Sequence, residues 1–204
     1  VVKRRRYTGA LEFLKKIVSP PKKITANNVK KIISVLKQDN KVDEGLMVLV
    51  IGGGSIGQGM TPLYDDPDLH IMSFDIYKSE YTQFVADAHK LPLPDDCFHC
   101  VIVQAVLEHV LSPHIVVGEI TRVLKNNGIV YSETPFLQHV HEGAYDFTRF
   151  TDSGHRYLYR NYVEISSRVS AGAGTQMLWS IDYFFRSLFR SRKAGKTFKV
   201  IFFW

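Results

Sequence analysis

Gly52, Gly53, Gly54 and Gly57 follow directly on an apolar run at 48–51. Without a Cβ, glycine lets a buried strand turn tightly and brings its main chain close to a ligand. The helix expected to follow then presents free N–H groups there. This predicts a nucleotide-like cofactor site, although Gly52, Gly54 and Gly57 also satisfy G-x-G-x-x-G, which on spacing alone leaves a dinucleotide open. Asp75 ends the next apolar run, where a carboxylate accepts from both hydroxyls of a ribose whose other end lies on the glycines. A second reactive group stands between 133 and 151: His139, His141, Glu142, Asp146 and Arg149. Imidazoles exchange protons near neutrality and a guanidinium holds anions.

The elements that must position these residues alternate in type. Short apolar runs at 47–51, 70–74, 83–86, 100–103 and 129–132 are separated by helical segments, the pattern of a parallel α/β sheet. A helix starts at Ser112 and Pro113, carries Val116, Ile120, Val123 and Leu124 on one face, and is expected to end at Asn127-Gly128. A helix at 153–159, a strand at 163–169 and an amphipathic helix through Met177, Ile181, Phe184, Phe185 and Leu188 are expected next. Residues 1–41 read as two helical stripes, one through Ala10, Phe13, Leu14, Ile17 and Val18, the other through Val29, Ile32, Ile33 and Leu36, separated by Ser19-Pro20-Pro21. The organisation expected is a basic helical extension at 1–41, a core at 42–174, and a basic, aromatic segment at 175–204.

A chain of 204 residues that is 45% hydrophobic fits one domain with a sizeable core and appended segments. Its net charge of +6 is unevenly spread: residues 1–41 set many basic groups against Glu12 and Asp39, residues 183–204 are basic without an acid, and the middle is acidic. Such ends fit an anionic or membrane-surface partner, or ordinary solvated helix faces. No apolar run approaches the ~20 residues of a spanning helix, and Val1-Val2-Lys3-Arg4-Arg5-Arg6 lacks a signal peptide's apolar core, so a cytoplasmic chain is expected. Cys97 and Cys100 read as reduced thiols, since a zinc site needs about four ligands; no metal is expected.

Asp87-Ala88, Leu91-Pro92, the acidic Asp95-Asp96, the strand at 98–103, Leu107-Glu108-His109 and Arg122-Val123-Leu124-Lys125 with Gly128 complete the reading. Together with the glycine turn they resemble the class I S-adenosylmethionine-dependent methyltransferases, of the type 11-like group, over about residues 46–160. The resemblance implies a Rossmann-like α/β fold with a mostly parallel central sheet flanked by helices, here with an N-terminal helical extension. It implies that Gly52, Gly53 and Gly54 hold the methionine part of the cofactor, that Asp75 holds the ribose and Ile76 lies on the adenine. By the same resemblance Asp87 holds the adenine amine with Ala88 beside the ring, and Gln104 faces the methionine end or the methyl group. Val50 stands where the family carries an acid that helps hold the cofactor's amino group, and Ile56 where a third glycine is common.

Residues 134–151 then lie where the methyl acceptor is expected, and His141, Tyr145-Asp146, Arg149 and Phe150-Thr151 resemble a run found in a subset of these enzymes. Methyl transfer from a sulfonium needs in-line approach of a lone pair and, for a hydroxyl or ammonium, a base. His141 or His139 is the expected base, Asp146 its orienting partner, and Arg149 with Tyr145 the acceptor's contacts. The acceptor expected is a small molecule or glycan-type hydroxyl, since no base-reading module and no Asn/Asp-Pro-Pro-Tyr follow the fourth strand. Two other classes stay open: an NAD(P)-dependent oxidoreductase, without a recognisable Tyr-x-x-x-Lys, and a non-catalytic cofactor- or partner-binding protein.

Overall fold

The computed structural model describes residues 23–40, 45–141 and 143–202. The expected stripe from Ala10 to Val18 lies outside the described residues, as does Glu142. The described part begins with helix α1 (Lys23–Asp39), followed by β1 (Leu46–Ile51), a short α2 (Thr61–Tyr64), β2 (Leu69–Asp75), β3 (Phe84–Val85) and β4 (Phe98–Gln104). A single helical turn, Leu107–His109, leads to α3 (Pro113–Val123), β5 (Leu124–Glu133), α4 (Asp152–Leu158), α5 (Ala173–Leu188) and α6 (Arg192–Ile201). The five strands form one sheet in the order β3-β2-β1-β4-β5, every pair parallel. This is the Rossmann-like arrangement expected, and it sets the carboxyl ends of all strands along one edge.

β1 lies at the centre and is apolar on both faces because both are covered. Leu46, Val48 and Val50 pack with Val29, Ile33 and Leu36 of α1 and Leu63 of α2, while Leu49 and Ile51 pack on the opposite side with Val116, Ile120 and Val123 of α3. Each such side chain contributes roughly 1.5–3 kcal/mol on burial. Helix α1 therefore belongs to the same compact unit as the sheet, Lys23–Ser170, whereas residues from Ala171 onward belong to a second unit. Within that second unit the rings of Phe185 and Phe198 stack with centroids 3.7 Å apart and Arg186 pairs with Asp182 at 2.6 Å. No described helix is long and apolar enough to cross a membrane.

Two elements differ from expectation. Helix α3 ends at Val123, and Leu124 is already extended, so Asn127-Gly128 terminates nothing. These residues form an irregularity inside β5 instead, where the pairing skips from Phe98↔Leu124 to Cys100↔Ile129. Asn127 takes φ +64 there, and a Cβ on Gly128 would come 2.7 Å from Leu124 Cγ; a turn-forming pair serves a bulge as readily as a helix end. The expected strand at 163–169 is not formed: Val163, Ile165 and Val169 are all exposed, the first at 92%, so its apolar alternation packs against no sheet. Both cysteines are free; Cys100 is buried in β4, which pushes its thiol up to about 12.

Candidate active site

The glycine turn closes on the end of β2. Gly52 takes φ +71, a left-handed conformation that favours glycine, and a Cβ there would strike the Val106 side chain. Gly53 N–H donates to the Phe74 carbonyl at 2.8 Å, and Gly54 N–H donates to Asp75 Oδ2 at 3.0 Å. A Cβ on Gly54 would come 2.6 Å from that same oxygen, so the absence of a side chain is what brings turn and carboxylate together. Asp75 Oδ1 accepts from Tyr77 N–H at 3.3 Å.

Beyond Asp75 the edge is apolar. Ile76 and Val85 leave about half their surface open, 50% and 54%, while Ala88 is buried in the core. Asp87 is exposed; its Oδ1 accepts from both the backbone N–H of His89, at 2.9 Å, and His89 Nδ1, at 2.6 Å. These two contacts hold the Asp87 carboxyl below the usual carboxylate range. His89 Nε2 in turn accepts from Ser112 N–H at 3.1 Å, which places the ring proton on Nδ1. Sequence reasoning missed His89; its only signal was the Asp-x-His spacing ahead of the Ser112 helix start.

Gln104 ends β4 and reaches in two directions. Its Nε2 donates to Glu133 Oε2 at 2.7 Å and to the Gln58 carbonyl at 3.3 Å, and its side chain occupies the space a Cβ on Gly57 would need. Glu133 Oε1 accepts from Thr25 Oγ1 and from Tyr131 Oη, each at 2.6 Å. Burial and the bond to Glu133 raise the Tyr131 hydroxyl well above its ordinary value. Neither Thr25 nor Glu133 was singled out from the sequence. The two lie far apart in the chain, and only the fold of α1 onto the sheet joins them.

The loop after β5 is organised by Arg149. Its Nη1 and Nη2 grip both oxygens of Asp146, and Nε, Nη1 and Nη2 also donate to the carbonyls of Gln138, Thr148 and His139. The Asp146 side chain is only 2% exposed, and Arg149 holds its carboxyl far below the usual range despite that burial. Asp146 Oδ2 accepts the backbone N–H of His141 at 2.9 Å and lies 3.4 Å from His141 Nδ1, which is also 3.2 Å from the His139 carbonyl. Two acceptors at Nδ1 favour the tautomer with the proton there and the lone pair on Nε2. The His139 and Tyr145 side chains are exposed at the rim.

The same loop is fastened to the turn that follows β4. Phe147 and Thr148 N–H donate to the Glu108 carbonyl at 2.9 and 3.2 Å, and His109 Nδ1 donates to the Tyr145 carbonyl at 2.5 Å. The rings of His109 and His141 meet edge to face at 4.9 Å. Donor atoms of Glu108, His109 and His141 lie within 4.8 Å of one another, with Glu108 fully buried. His109, named from sequence only within the Leu107-Glu108-His109 motif, thus stands beside His141 and bonds across to the loop.

Residues 58–132 match the family model for a methyltransferase domain. No curated protein matches the chain. Among solved structures, the PH0226 protein of Pyrococcus horikoshii OT3 superposes with a TM-score of 0.50 at 17% identity, over 82% of this chain and 95% of its own. A S-adenosylmethionine-dependent methyltransferase of Aquifex aeolicus superposes with a TM-score of 0.47 at 13% identity, over 76% and 88%. The methyltransferase in complex with the Trm112 activator of Haloferax volcanii gives 0.48 at 22% identity, over 74% and 75%. Residues 58–132 are thus similar to the methyltransferase domain family, whose cofactor is S-adenosylmethionine.

Proposed function

We propose that this domain methylates a hydroxyl of a small molecule or glycan-type acceptor held by residues 134–151. One observation carries the reading: that loop is clamped, through the Glu108 carbonyl and His109, to the turn after β4, the strand beside the glycine-turn strand β1. The cofactor, when bound, supplies an electrophilic methyl group on a sulfonium. Gly52, Gly53 and Gly54 would hold its methionine part, Asp75 its ribose, and Asp87 its adenine amine over Ile76 and Ala88.

On the acceptor side, the lone pair of His141 Nε2 would take the hydroxyl proton, with Asp146 orienting the ring and stabilising the imidazolium, while the bound cofactor would supply the methyl group and leave as the neutral thioether S-adenosylhomocysteine. His139 is an alternative base at the rim. Arg149 spends its donors on Asp146 and three carbonyls, so its part is chiefly to shape the loop, and Tyr145 offers the acceptor an exposed ring and hydroxyl. The basic run after Asp182, beside the exposed Phe184, Leu188 and Phe189, fits an anionic or membrane-surface partner.

Calorimetric titration tests the cofactor half of the reading: S-adenosylhomocysteine is expected to bind and NADH is not, and binding of NADH alone would overturn it. For the acceptor half, a panel of hydroxylated compounds is assayed for methyl transfer. His141→Ala is expected to lower the rate by roughly 10²–10⁴-fold, the usual contribution of a positioned base, without weakening S-adenosylhomocysteine. An unchanged rate would return His141 to a structural part in the loop.

A further inference from the structure

We propose that His89 makes the adenine subsite selective: tied to the start of α3, it fixes Asp87 so that the carboxylate accepts from an amino purine and repels an oxo purine. The inference rests on the methyltransferase reading above, in which Asp87 meets the cofactor's adenine amine. His89 itself touches no ligand in this scheme and acts through Asp87, as a positioning residue.

Register brings Asp87 to the ligand edge. Asp75 pairs with Val85, and Ala86 N–H donates to the Asp75 carbonyl at 3.1 Å, so Asp87 follows directly on the paired ends of β2 and β3. Its carboxylate is 69% exposed, and an exposed aspartate in a loop ordinarily turns among several rotamers. Here one is held. Asp87 Oδ1 accepts from His89 N–H at 2.9 Å and from His89 Nδ1 at 2.6 Å, and neither bond uses Oδ2. The ring is tied on its far side as well, where Ser112 N–H, from the residue that precedes α3, donates to Nε2 at 3.1 Å. That bond needs the lone pair on Nε2, so the proton sits on Nδ1 and is directed at Asp87. Ser112, His89 and Asp87 thus form a chain from the start of α3 to the end of β3. The backbone and ring donors of His89 also keep the Asp87 carboxyl below the usual carboxylate range, so its charge is in place when a base arrives.

A charged oxygen of fixed direction discriminates by polarity. Adenine offers an N–H where hypoxanthine carries a carbonyl oxygen, which would meet the carboxylate lone pair to lone pair. A carboxylate free to rotate retreats from the carbonyl; one held by His89 does not.

Calorimetry with S-adenosylhomocysteine and S-inosylhomocysteine, which carries hypoxanthine in place of adenine, tests this. The unsubstituted protein is expected to prefer the adenine ligand by about tenfold or more, as a charged hydrogen bond set against an unpaired carbonyl implies. His89→Ala is expected to reduce that preference roughly three- to tenfold, since Asp87 keeps its charge and loses its direction. His89→Asn, whose amide N–H can reach Asp87 from the place of Nδ1, is expected to retain more of the preference than His89→Ala. Two ligands are compared within one variant, so partial loss of fold weakens both and does not mimic the expected result. An unchanged preference in His89→Ala, equal weakening of both ligands, or a His89→Asn no better than His89→Ala would each overturn the proposal. If the unsubstituted protein binds both ligands alike, Asp87 does not read the base and the proposal falls with that assignment. If it binds neither, the methyltransferase reading itself fails, a result distinct from the failure of His89 alone.

Discussion

Asp75→Ala is expected to weaken S-adenosylhomocysteine binding by roughly 1–3 kcal/mol, about ten- to a hundredfold in Kd. Two losses combine. The ribose hydroxyls lose a charged acceptor, and the Gly54 and Tyr77 N–H groups lose the oxygens that fix the turn against β2. Asp75→Asn separates them: the amide oxygen still accepts one backbone N–H but carries no charge, so an intermediate affinity is expected. The measurement is calorimetric, accompanied by thermal unfolding without ligand. Asp75 sits at a strand end and contributes little to the core, so the melting temperature should move far less than the affinity. Unchanged affinity in both variants would place the ribose elsewhere.

That prediction concerns a residue found by strand periodicity and the acid's position relative to the glycines. The sheet was legible for the same reason: β1 is a continuous apolar run ending in glycines, and β2 and β4 repeat the pattern. What was not legible falls into two kinds. Asn127-Gly128 and residues 163–169 have the right local chemistry for a helix end and a strand, but pairing decides their use: the first became a bulge because β5 begins at Leu124, and the second pairs with no strand and is exposed. The other kind is side-chain partnership across the chain. Thr25 with Glu133, His109 with Tyr145 and His141, and Ser112 with His89 join residues with no common period or motif. Charge counting finds Glu133 and Arg149 as charged residues, and only the fold reveals that one bonds to Thr25, Tyr131 and Gln104 and the other to its own loop.

Arg149→Ala is expected to disorder the loop at 134–151 while leaving the glycine turn intact. Asp146 is a nearly buried carboxylate gripped on both oxygens by the guanidinium. Removing one partner of such a pair typically costs about 3–5 kcal/mol because the remaining charge stays buried and uncompensated. A loop escapes that cost by opening to water, so the penalty appears as local unfolding. Hydrogen exchange should therefore quicken at His141, Phe147 and Thr148, whose N–H groups bond to Asp146 and to the Glu108 carbonyl, while β1 and β4 remain protected. Arg149→Lys should rescue only part of the order, since one ammonium cannot reproduce a fork that reaches two carboxylate oxygens and three carbonyls. The pH dependence has a definite sign. Arg149 depresses the folded-state pKa of Asp146 below its unfolded value near ~3.9, so the stabilisation is full above that value and is lost as pH falls through the folded pKa. In the unsubstituted protein loop order should persist at neutral and mildly acidic pH and fade only in strong acid; in Arg149→Ala it should already be missing at neutrality. Unaltered exchange in the loop of Arg149→Ala would show that the clamp to Glu108 and His109 suffices without the guanidinium, and weakened S-adenosylhomocysteine binding would make the loop a wall of the cofactor site as well as the acceptor's.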